Sequence, residues 1–238
     1  MSYYGYKRQE TAGEKRDKAA RKLATLRKKN PDISPVVIEG RTLARSWWGK
    51  AWNQNLESYA DYANRIGRGK TYVRNGAVLD LKIFRGTVDA LVLGSGSKTY
   101  NVRIVIDTLN QDQQDRVTGL CNHRIDSLEA LVDGTFPREL ASLFTDKTCG
   151  LFPSPGQIRF GCDCPDWAYM CKHVAAVLYG IGARLDEDPM MFFTLRDMDS
   201  RELLRKSIDQ KVESMLKNAG KKSSRAIAEE EIGDLFGL

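Results

Sequence analysis

Cys162, Cys164, Cys171 and His173 fall within twelve consecutive residues, in the pattern C-x-C-x6-C-x-H. Thiolate and imidazole are donors that zinc prefers, and three Cys with one His is a common structural set. Four such donors leave no open coordination position, so the pattern points to a structural metal rather than a catalytic one. A zinc deaminase would need H-x-E upstream of P-C-x-x-C, and the chain has neither. A Cys162–Cys164 disulfide would close a strained ring. Three thiolates would leave the site at a formal −1, which Arg159 and Lys172 are placed to offset, while Asp163 or Asp166 could orient the His173 ring.

The spacing has to be built by local structure. Gln157 to Gly161 reads as a strand, and Cys162-Asp163-Cys164-Pro165 as a turn that aims two sulfurs at one point. Asp166 is expected to cap a short helical turn over DWAYM that returns the chain to Cys171. His173 then lies in the first turn of a helix whose Val174, Val177, Leu178 and Ile181 face a core. The pair Cys121-x-His123 repeats half of the spacing without a partner and reads as a loop coincidence; Cys149 reads as a small structural residue.

The remaining elements alternate in type. Residues 10–30 are rich in Ala, Lys, Arg, Glu and Leu and read as a helix ended by Asn30-Pro31. A helical period runs from Leu43 to Ile66 and includes Trp47, Trp48 and Trp52. Those tryptophans suggest either a base-stacking platform or, the better reading at this spacing, a buried stripe. Tyr72-Val73, Asn75-Gly76 and Val78 to Ile83 suggest a hairpin with an Asn-Gly turn. Val88 to Leu93 and Tyr100 to Ile106 extend it into a meander, with Gly94 to Ser97 as a second turn. GSGSKT in that turn is no phosphate loop, because Gly96 is not followed by Lys-Ser/Thr and the segment leads into a strand. Helical signals return over residues 110–145, at Asp126 to Glu129 and at Pro137 to Leu140, and again over about 199–218.

The fold class is therefore α+β: an antiparallel β-meander with flanking helices plus a small zinc-stabilised strand-turn-helix module. The expected organisation is a basic helical arm at 1–35, an α+β body at 36–150, the zinc module at 151–198, and a C-terminal helix with an acidic-apolar tail at 199–238.

Charge is uneven. The chain carries a net +6, and residues 1–30 alone hold ten Lys/Arg against three acidic residues. Lys15, Arg16, Lys18, Arg21, Lys22, Arg27, Lys28 and Lys29 would present phosphate-binding charge, or serve as a solvated face. Arg68, Lys70 and Arg74, beside Tyr72, are a second candidate strip, equally readable as the solvent face of the first strand. Ile232, Leu235 and Phe236 of the tail could enter a partner's groove. Asp80 and Asp89 as magnesium ligands of a nuclease are disfavoured, since strand carboxylates are usually a wet face. With His173 committed to zinc, only His123 remains as an imidazole base, so a non-enzymatic protein is expected. An odd cysteine count, clustered sulfurs, and the lack of a signal peptide or a long apolar run suggest the cytoplasm.

C-x-C-P-D followed by C-K-H-V-A-A-V-L-Y resembles the SWIM zinc finger. LFPSP, and RTLARSWWGKAWNQNLESYADYANRIGRGKTYVRNG upstream, resemble bacterial SWIM-containing proteins, so the resemblance covers roughly residues 36–198. It implies Cys162, Cys164, Cys171 and His173 as ligands of one Zn2+, with roles in DNA binding or protein–protein contact. It also implies association with Swi/Snf-type helicase-like ATPases. The leading expectation is a zinc-binding accessory protein that binds nucleic acid and/or docks such an ATPase; the alternative is a pure interaction adaptor using the tail.

Overall fold

Alternating burial builds the sheet. The computed structural model describes residues 8–58, 63–122, 141, 144–145, 150–199, 205, 209, 212–213 and 215–217. Strands β1 (Val78–Phe84), β2 (Thr87–Leu93), β3 (Thr99–Ile106) and β4 (Ile158–Cys162) form one antiparallel sheet in that order. Val88, Ala90 and Val92 of β2 and Val102, Ile104 and Ile106 of β3 turn inward, while Asp89 and Arg103 face water. The sheet and one continuous core run across the boundary expected near Gly150, since β4 pairs with β3.

The helices whose bounds lie among the described residues are α1 (Ala12–Arg27), α2 (Trp47–Glu57), α3 (Ala63–Arg74), α4 (Gln111–Asn122), α5 (Lys172–Glu187) and the short α6 (Met191–Leu195). Helix α5 is apolar nearly all round, with twelve buried residues, and it is the centre of the molecule. It packs on the sheet, on α3, and on α2, where the Trp52 indole N–H donates to the Leu178 carbonyl at 2.9 Å. Trp48 and Trp52 are fully buried among Phe144, Phe152, Phe192 and Phe193, so the stripe at 47–52 is core. The single period from Leu43 to Ile66 is in fact divided between two helices, α2 and α3.

The Asn-Gly hairpin is corrected. Tyr72 and Val73 belong to α3, and Asn75-Gly76 ends that helix. Gly76 has φ +69°; its N–H donates to the Val73 carbonyl and that of Ala77 to the Tyr72 carbonyl, the two bonds of a Schellman motif. A left-handed residue serves a type I′ hairpin and a helix terminus alike, and the residues before it decide which. The first hairpin turn is Arg85-Gly86 instead, with Gly86 at φ +64°. Arg68, Lys70 and Arg74 accordingly lie on a helix, not on a strand.

Two further features frame the sheet. Residues 34–36 run along the outer edge of β1: the Val36 N–H donates to Val78 O (3.1 Å) and the Leu81 N–H to Ser34 O (2.9 Å). Helix α1 opens with a Thr11/Glu14 capping box and rests Ala19, Leu23 and Leu26 on the core. Among the described residues no helix is long and apolar enough to cross a membrane. The expected helix openings at Asp126 and Pro137, His123, Cys149, and the tail residues Ile232, Leu235 and Phe236 lie outside the described residues.

Candidate metal centre

Two structural joints bring the donors together. Cys162 is the last residue of β4, and Cys171 is the N-cap of α5, which puts His173 one residue inside that helix. The connecting turn is pinned to β3: the Asp163 carboxylate accepts from the Asn101 backbone N–H and side-chain amide, both at 2.9 Å. Past Pro165, Asp166 accepts from the Ala168 N–H at 3.3 Å and from both terminal nitrogens of Arg65, at 2.9 and 3.3 Å. The helical turn expected over DWAYM is absent; residues 166–170 bend without helix, because Asp166 closes a local side-chain turn and then reaches across to α3.

One donor atom from each of Cys162, Cys164, Cys171 and His173 lies within 4.8 Å of every other, so the group can hold a metal ion. His173 Nδ1 is 3.9 Å from Cys162 Sγ and 3.8 Å from Cys171 Sγ. A tetrahedral zinc site has N···S edges of about 3.6 Å by its bond lengths, so these contacts are close to the required geometry. The three cysteines are free thiols, with no Cys162–Cys164 disulfide.

The electrostatics favour an anionic donor. A hydrogen bond from Cys162 holds the Cys171 thiol down at about 3 against its burial, and His173 together with the backbone N–H groups at the start of α5 acts in the same direction. The same shared proton, together with burial, pushes Cys162 up. His173 is buried; the Tyr100 ring stacks on it at 4.7 Å and the Tyr72 ring meets it edge-on at 5.4 Å. Neither Asp163 nor Asp166 orients the imidazole, as both are committed elsewhere, and His173 Nε2 has no hydrogen-bond partner among the described residues. Two tyrosine rings fix its plane.

The flanking cations differ from expectation. Arg159 pairs with Asp107 at 2.7 Å, whereas Lys172 lies over the Tyr72 ring at 5.9 Å. Lys70 is bound to Glu57 at 2.8 Å, Arg74 donates to the Arg41 carbonyl, and Arg68 is exposed. On α1, Lys18 bonds Glu10 and the Ser95 carbonyl, and Arg21 donates to the Asp17 carbonyl. Arg16, Arg27, Lys28 and Lys29 stand exposed, with Lys15 and Lys22 half-buried. Asp80 accepts from the Ser34 N–H and Asp89 makes a bidentate pair with Arg103, so the two carboxylates do not converge on a common point.

Sequence reasoning passed over Trp167 and Tyr169. Both stand in water on the loop between Cys164 and Cys171, with Trp167 93% exposed and Tyr169 57% exposed. The signal available was two aromatics in a six-residue span between ligand cysteines, too short to carry a core of its own.

No family model matches the chain, and no solved structure matches it. Among curated proteins, the uncharacterized protein Rv2102 of Mycobacterium tuberculosis (strain ATCC 25618 / H37Rv) is 32% identical over 183 residues. Those residues are 73% of this chain and 66% of the relative, so the chain spans a little under two thirds of the relative's length.

Proposed function

We propose that Cys162, Cys164, Cys171 and His173 hold one structural Zn2+ and that the chain is a non-enzymatic accessory protein that binds nucleic acid, docks a Swi/Snf-type helicase-like ATPase, or does both. The observation that carries this reading is the convergence of three sulfurs and one imidazole nitrogen at the junction of β4 and α5. The donor set suits zinc, and four protein ligands leave no position for a substrate. Bound there, zinc would supply cross-linking and no chemistry. The four residues would tie the end of an edge strand to the start of the central helix.

Support for nucleic acid comes from charge. Arg16, Arg27, Lys28 and Lys29 project from α1 and its end, and Arg68 from α3, without carboxylate partners among the described residues. Helix α1 is seated on the core through Ala19, so its charge is held in place rather than trailing as a loose arm.

The test has two readouts on the full chain. Elemental analysis should find one zinc per chain, and cobalt substitution should give the spectrum of a tetrahedral thiolate site. Fluorescence anisotropy with labelled DNA and RNA at two salt concentrations should show binding that falls steeply with salt. It should also weaken when Arg27, Lys28 and Lys29 are changed to Glu. A folded, zinc-loaded chain that binds none of these would leave protein docking as the role.

A further inference from the structure

The chain has four tryptophans. Trp48 and Trp52 are buried, and Trp47 packs its ring against Trp48, Phe144 and Phe152. Trp167 alone among them stands almost wholly in water. A large apolar ring left outside forgoes the burial that stabilises every other indole in this fold.

The loop that carries it is held firmly. Asp166, directly before Trp167, is tied to Arg65, and Ala168, directly after, donates its N–H to Asp166. Two residues on, the Tyr169 hydroxyl donates to the Ile158 carbonyl and its ring packs on Phe160 at 5.2 Å. Cys164 and Cys171 bracket the whole segment. The two aromatics are thus presented on a fixed backbone.

The charge without an opposite partner beside the loop is basic among the described residues. Arg65, Arg68 and Tyr72 are spaced i, i+3, i+7 on α3, one face of that helix. Arg65 is spent on Asp166 and Tyr72 on His173, while Arg68, between them, is exposed and has no acidic partner among the described residues. Lys172 lies over Tyr72 and Lys98 over Tyr100, the two rings that flank His173, and neither lysine pairs with a carboxylate among the described residues. The acids of the loop, Asp163 and Asp166, are both satisfied within the protein.

We propose that Trp167 and Tyr169 form a base-stacking platform for single-stranded nucleic acid, whose phosphates meet Arg68, Lys98 and Lys172. The proposal rests on the nucleic-acid reading above and narrows it to one surface and one kind of strand. Every base has a π-face, but only an unpaired base can leave its stack to cover an indole. A basic surface meant for duplex backbone would not need exposed rings. Here Pro165 and Asp166 precede Trp167, and the basic residues around His173 are Arg68 on α3, Lys172 on α5 and Lys98 in the turn before β3.

The experiment uses the full-length, zinc-loaded chain with a twelve-nucleotide oligo-dT, its oligo-U counterpart and a duplex of equal length. Intrinsic fluorescence reads the indoles and anisotropy reads the labelled strand. Oligo-dT or oligo-U should quench the emission, because Trp167 is the tryptophan that a ligand can cover. Trp167→Ala should weaken binding about 5- to 150-fold. Trp167→Phe should recover most of that loss, and both variants should melt like the parent. Arg68→Ala should weaken binding and reduce the salt slope by about 0.7. Unchanged affinity in Trp167→Ala, or binding of duplex alone, overturns the platform and leaves the nucleic-acid reading standing. Failure of the parent chain to bind any of the three probes sinks both.

Discussion

Gly69 of α3 runs so close to Ala175 of α5 that a Cβ added to the glycine would lie 2.5 Å from the alanine Cβ and 2.8 Å from its carbonyl carbon. This approach lets α3 lie against the helix that carries His173, and it brings Arg65 and Tyr72 to the metal loop. Gly67, two residues earlier on the same helix, would place a Cβ in open space. The same substitution therefore has opposite signs at the two positions. Gly69→Ala should cost about 1–3 kcal/mol, because backbone must move. Gly67→Ala should add about 0.5–1 kcal/mol by removing glycine's conformational freedom from a helix. Urea melts of the two variants check this, and a loss in both would mean that the approach at Gly69 is not special.

Arg65 and Asp166 join α3 to the metal loop through a bidentate, largely buried ion pair. A double-mutant cycle with Arg65→Ala and Asp166→Asn should return a coupling of about 1–2 kcal/mol. A coupling near zero would mean that the loop is positioned by its cysteines alone.

Tyr179 is buried in α5, and its hydroxyl donates to Glu57 at 2.8 Å. Burial first, and the Glu57 carboxylate second, push its pKa well above that of a free tyrosine. The folded chain then keeps a proton that the unfolded chain releases above about pH 10. The stabilising contribution is complete below that pH and declines as pH rises beyond it. Tyr179→Phe should lower stability by about 1 kcal/mol at neutral pH and flatten the alkaline decline. Denaturant melts at pH 8 and pH 11 compare the slopes, and identical slopes in parent and variant would refute the assignment.

Trp52 and Trp167 should part company in stability. Trp52→Ala opens a cavity beneath α5 and should cost about 3–5 kcal/mol. Trp167→Ala removes a ring that touches almost nothing and should change stability by less than about 0.5 kcal/mol. A large loss at Trp167 would show that the indole is a packing element after all.

Periodicity and donor chemistry made much of this legible in the sequence. The inward faces of β2 and β3, the buried side of α5 and the four donors all followed from spacing within a dozen residues. What escaped was whatever depended on a distant partner. Asn75-Gly76 suits a hairpin or a helix terminus equally, and the helical run from Ala63 to Arg74 settled it. Asp166 could not be seen to leave its own loop for Arg65, roughly a hundred residues upstream, and so DWAYM looked helical. Lys70 and Arg159 looked like free charge because their partners, Glu57 at the end of α2 and Asp107 just after β3, are brought alongside only by the tertiary fold. Trp167 was passed over for the opposite reason: its only sequence signal was a span between two cysteines too short to bury an indole.

The extended residues 34–36 along β1 have a consequence for the behaviour of the chain in concentrated solution. A bare outer strand offers a row of unmet amides and carbonyls to which another copy can add a strand, the first step toward fibrous aggregates. Val36 and Ser34 already occupy that row beside Val78 and Leu81, and the Ser34 N–H is anchored to the Asp80 carboxylate. The segment acts as a built-in guard against self-templating. Deleting it, or placing proline at Val36, should turn a covered edge into an adhesive one long before the core itself fails.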